Sequence, residues 1–80
     1  MNYYIASFSD ETIKQHQALE NGWAIVEAEN IDAARNLLTS VLGKSPDGPW
    51  DLLLTTKDHY DEQRQSCHWP DFVERGLIPL

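Results

Sequence analysis

Eighty residues, 41% of them apolar and 10% aromatic, confine the chain to one domain with a modest core and set it apart from disordered sequences. Thirteen acidic against six basic side chains leave a net charge of −7, a field that repels phosphate backbones and anionic lipid headgroups and draws basic surfaces, so neither direct nucleic-acid binding nor membrane attachment is expected. The single cysteine, Cys67, rules out an internal disulfide and points to a reducing, cytoplasmic setting.

The start, Met1 to Phe8, lacks the basic opening and apolar length of a signal peptide, and no run approaches a membrane span, so neither a leader nor an anchor is expected. Tyr3 to Phe8 predicts a first strand. Apolar groups fall on both of its faces, Tyr3 and Ile5 on one and Tyr4, Ala6 and Phe8 on the other, as in a strand at the centre of a sheet. Asp10 to Asn21 is polar and reads as a loop with a helical turn. Asn21-Gly22 then supplies a chain reversal into a second strand, Trp23 to Glu29, antiparallel to the first.

The strongest local signal follows. Asn30 is an N-cap, Asp32 suits the first turn, and Ile31, Ala34, Leu37, Leu38, Val41 and Leu42 recur at helical spacing up to Gly43. This helix lays an apolar stripe on the sheet and turns Arg35, Asn36, Thr39 and Ser40 to water. Ser45-Pro46-Asp47-Gly48-Pro49 is a turn, and Trp50 to Thr56 is a third strand in which Leu52, Leu53 and Leu54 form a buried run. Lys57 to Gln65 predicts a short exposed helix. Trp69 to Gly76 is a helical turn opened by Pro70, and Leu77, Ile78 and Leu80 close the chain as an apolar tail. The fold expected is α+β: a small three-stranded, mainly antiparallel sheet (ββαβ) with one helix packed on it and short C-terminal helical segments, all in one domain.

His59, Cys67 and His68, with Asp58 and Asp61 near them, are the chain's only grouping of potential metal ligands. A lone cysteine beside a lone histidine lacks the second pair that a four-coordinate zinc site needs, and a packed thiol with surface histidines accounts for the same residues, so no metal is expected. Adjacent side chains such as Cys67 and His68 point apart, which argues against a thiol nucleophile with its base. Glu27 with Glu29, and Asp58 with Asp61 and Glu62, are paired carboxylates in polar surroundings, whereas acid-base work requires one carboxyl in an apolar pocket. The four glycines, Gly22, Gly43, Gly48 and Gly76, are scattered and build no phosphate loop. No cofactor and no enzymatic activity are expected.

Trp50, Tyr60 and Trp69 flank loops, where such side chains serve either as core or as interface anchors; Trp69, just past the His59 to His68 segment, is the candidate anchor. By size, charge and the passage from Trp23 to Leu38, WAIVEAENIDAARNLL, the chain resembles small proteins of bacteriophages and mobile elements, and among these anti-CRISPR inhibitors. The resemblance implies a cytoplasmic protein of the bacterial host cell that docks on a basic, nucleic-acid-binding surface of a defence complex and blocks DNA binding. Asp58, Asp61 and Glu62, then Asp47 and Asp51, are the carboxylates assigned to such a partner, with Trp69 beside them. Plain solubility accounts for the same net charge. The alternative is a bacterial accessory or dimerisation module acting through a sheet edge or the apolar C-terminal tail. Monomer and homodimer are both compatible with the sequence.

Overall fold

Six residues at the start of the chain, Asn2–Ser7, form β1, and the architecture grows around them. The structure, a computed structural model, describes residues 1–8, 10–42 and 52–80. Helix α1 (Asp10–Gln15) and a 3-10 turn (Gln17–Leu19) lead into β2 (Trp23–Ala28), which is followed by α2 (Ile31–Leu42), β3 (Leu52–Thr55), α3 (Lys57–Gln65), α4 (Pro70–Glu74) and β4 (Leu77–Pro79). The class is α+β, as the sequence predicts, but among the described residues the sheet has four strands rather than three, in the order β3-β1-β2-β4, and every pair is antiparallel.

The additional strand is the apolar tail. Gly76, at φ +84°, turns the chain out of α4, and its carbonyl accepts from Glu27 N at 2.9 Å. Leu77, Ile78 and Pro79 then pair with Val26, Ile25 and Ala24. Past the strand, Leu80 N donates to Trp23 O and Asn21 Nδ2 donates to Leu80 O. All three β4 residues are buried, so Leu77 and Ile78 of the tail are part of the core, while Leu80 at its end is half-buried.

β1 occupies the interior position its two apolar faces call for, with Tyr3 opposite Glu27 on one side and Thr55 on the other. Even-numbered residues point to one face: Tyr4, Ala6, Ala24, Val26 and Ala28 pack with Leu77 and with Ala34, Leu38 and Leu42 of α2. Tyr3, Ile25 and Ile78 point to the opposite face and pack with Tyr60 of α3. Fully burying a leucine or isoleucine stabilises the fold by about 1.5–3 kcal/mol, so the sheet holds two such clusters apart rather than resting on one.

α2 begins where expected, with Ala33 N donating to Asn30 Oδ1 at 2.8 Å. Ile31, assigned to the buried stripe, is instead 39% exposed, because the first helical residue overhangs the sheet. The polar segment after β1, read as a loop with a helical turn, holds a six-residue helix with Asp10 and Glu11 in its first turn and Lys14 in its last, an arrangement that complements the macrodipole without an apolar stripe. Gly43, the Ser45–Pro49 turn and Trp50 lie outside the described residues.

The expected burial of Leu52, Leu53 and Leu54 does not hold. Leu53 is 59% and Leu54 71% exposed, since β3 is an edge strand that has a neighbour on one side only among the described residues.

Candidate protein-docking surface

β3 and α3 form one continuous piece of surface because a single threonine joins them. Thr56 has extended backbone (φ −112°, ψ 157°) and its hydroxyl accepts from His59 N at 3.2 Å, which ends the strand and caps the helix within one residue. Thr55 Oγ1 and His59 Nδ1, 3.1 Å apart, tie the last strand residue to the first helical turn. Asp58 falls in that first turn and Arg64 in the last, both favourable to the helix dipole.

Tyr60 is the side chain that seats α3 on the sheet. It is 3% exposed, and its ring lies 4.9 Å from that of Tyr3, tilted by 47°. Of the three loop-flanking aromatics, Tyr60 therefore belongs to the core. Burial, reinforced by the neighbouring Glu27 carboxylate, pushes both phenols above their ordinary value.

With Tyr60 turned inward, Asp58 and Glu62 stand exposed one turn apart, while Asp61 is half-buried. Lys57 Nζ donates to Asp61 Oδ2 at 2.6 Å, and this bond holds the Lys57 ammonium above its usual pKa. It is the only ion pair among the described residues. Asp58 and Glu62 have no ion-pair partner among the described residues, although the Lys57 ammonium feels the neighbouring Asp58 carboxylate, whereas the charge of Asp61 is balanced. Asp47 and Asp51 lie outside the described residues.

The remaining described carboxylates belong to other elements, Glu27 of β2 lying close to Tyr3 and Tyr60 under α3. Asp10 and Glu11 are on α1, Glu20 follows the 3-10 turn, Glu29 and Asp32 sit at the β2–α2 corner, and Asp71 and Glu74 are on α4. Trp69 is also apart from Asp58: it precedes α4, beyond the C-terminal end of α3, 41% exposed with its ring edge-on to Phe72 at 6.5 Å. It lines an open cleft of about 280 Å³ together with Gln63, Cys67 and His68. There Cys67 Sγ accepts from Trp69 N at 3.4 Å, and no hydrogen bond joins Cys67 to His68. Among the described residues no three His, Cys, Asp or Glu side chains are grouped to hold a metal ion.

Besides Ile31, three exposed apolar side chains escape the sequence reading. Leu53 and Leu54 look like core until the strand order is known. Trp23, 47% exposed, shares its sheet face with Ile25 and Glu27. A half-buried glutamate on that face was the available sign that the coverage is incomplete.

Comparison of the chain with protein-family models, with curated proteins and with solved structures finds no match. No helix among the described residues is long and apolar enough to cross a membrane.

Proposed function

We propose that the protein is a non-catalytic inhibitor that acts by binding another protein, docking its α3 side on a basic, nucleic-acid-binding surface of a bacterial defence complex and keeping DNA out, as the likeness to anti-CRISPR inhibitors implies. The observation that carries this reading is the pair of exposed carboxylates Asp58 and Glu62, without an ion-pair partner among the described residues, next to the exposed leucines of β3. Carboxylates over a cationic groove take the places of phosphates, and the leucines supply the apolar contact that charge alone lacks. A net charge of −7 steers the whole molecule toward such a surface, an effect that salt screens over about 8 Å at physiological ionic strength.

The test is DNA binding by purified, guide-loaded CRISPR effector complexes, titrated with the protein at low and high salt. Inhibition should weaken as salt rises. The triple variant Asp58→Lys, Asp61→Lys, Glu62→Lys should lose at least about tenfold in potency, with its fold intact by circular dichroism. Undiminished potency of the triple variant removes the α3 assignment. No inhibition by the unsubstituted protein of any complex overturns the inhibitor reading.

A second reading, a dimerisation module, draws on the exposed edge of β3. Burial of Leu77, Ile78 and Pro79 leaves only half-buried Leu80 of the tail to contribute, so this reading draws mainly on the edge. Sedimentation of the pure protein checks it, a salt-insensitive dimer being the outcome in its favour.

A further inference from the structure

We infer that the outer edge of β3 receives an extended, lysine- or arginine-containing segment of the partner protein, which adds to the sheet as a fifth strand. This rests on reading the protein as a protein-binding module, and it names the contact.

The two edges of the sheet differ in what they offer. β4 is three residues long, ends in Pro79, which has no N–H to donate, and is closed off beyond its end by the Leu80–Trp23 and Asn21–Leu80 hydrogen bonds. β3 has four residues and no proline, and among the described residues it pairs only with β1. Edge strands are ordinarily protected by lysine, proline, a bulge or an inward-pointing charge. Leu52-Leu53-Leu54-Thr55 carries none of these. Among the described residues its outer row of backbone groups is unpaired, and it is flanked by an apolar side chain on each face.

Charge selects the occupant. Leu53 and Thr55 lie on the face that α3 covers, as the Thr55–His59 contact shows, and Leu54 lies on the opposite face. A residue of an incoming strand opposite Thr55 therefore comes up beside the first turn of α3, where Asp58 stands next to Lys57, whose ammonium is engaged by Asp61, with Glu62 one turn on. A cation belongs there, and apolar residues belong opposite Leu53 and Leu54. The segment that fits has two consecutive apolar residues flanked by lysine or arginine. A second copy of this chain fits poorly, because it brings a net charge of −7 and the same two carboxylates against their like.

The probe is an end-blocked peptide of about eight residues, Lys-Thr-Lys-Leu-Leu-Lys-Thr-Lys, with its all-glutamate counterpart as control, added to the isotope-labelled full chain. The lysine peptide should shift the amide resonances of Leu52 to Thr55 and slow their hydrogen exchange, and the glutamate peptide should do neither. The double variant Leu53→Lys, Leu54→Lys should weaken peptide binding at least about tenfold. The inference is overturned by β3 amides that ignore the lysine peptide at millimolar concentration or by a response confined to α3. It is equally overturned by a free protein that sediments as a dimer with β3 already protected, which assigns the edge to a second copy. In the DNA-binding assay, inhibition that survives the double variant sinks the β3 contact and leaves the inhibitor reading intact. Peptide binding without any inhibition does the reverse.

Discussion

Tyr3 and Tyr60 show how a few side chains couple the fold to its charge. Both phenols hold their protons more tightly in the folded chain than at the ordinary value of 10.0, first because they are buried and then because the Glu27 carboxylate is close. Below pH 10.0 both tyrosines are neutral whether the chain is folded or not, and their contribution to stability is complete. Above it the unfolded chain ionises first, so stability is lost as pH rises through the folded values. Lys57, raised above 10.5 by Asp61, acts in the same direction, but that pair is exposed and adds little. The urea midpoint should hold steady well below pH 10.0 and fall as pH rises past it, with the phenolate absorbance of Tyr3 and Tyr60 lagging behind that of free tyrosine. The drop should shrink in the Tyr3→Phe, Tyr60→Phe double variant. An unchanged drop there would place the alkaline weakness elsewhere.

At the level of elements, α2 was legible almost to the residue, because a cap and a 3.6-residue period are both local. Asn30 supplies a side-chain acceptor to Ala33 N and a backbone acceptor to Ala34 N. Asn30→Ala removes the first and should cost about 1 kcal/mol, read from urea denaturation, while Asn30→Asp should retain most of the stability. The other elements were read less well for identifiable reasons. α1 has too few apolar residues to show a period, and its charges alone mark it as a helix. β3 carries the same leucine run that a central strand would, and a run of apolar residues does not say whether a strand has one neighbour or two. The tail, three residues after a left-handed glycine, is too short to display alternation.

Over the whole molecule, the stability available to a chain of this length is roughly 4–12 kcal/mol, divided between two faces of one sheet. Ile25 lies at the centre of the less extensive cluster, with no exposed surface, flanked across the sheet by Ile5 and Ile78. Ile25→Ala should cost about 2–5 kcal/mol, a large share of the total, and should loosen α3, whose seat on the sheet is made by Tyr60 in the same cluster. Thermal denaturation should show the loss, and hydrogen exchange should show α3 opening before α2. Loss of protection in α2 first would mean that the two faces do not fold as separate supports. The candidate docking surface depends on this arrangement, since α3 must stay seated for Asp58 and Glu62 to stand beside the β3 edge.

By itself the sequence determined the acidic character, the α+β class, the interior place of β1 and the capped helix α2, because each follows from composition or from a pattern within a dozen neighbouring residues. Only the tertiary structure decided that the sheet has four strands, that Leu53 and Leu54 face water, that Tyr60 is core and that the C-terminal tail is buried. These outcomes depend on pairings such as Tyr3 with Thr55 and Ile25 with Ile78. Pairing across dozens of residues is set by which faces find each other, and local periodicity, which records only the two sides of a single element, carries no trace of it.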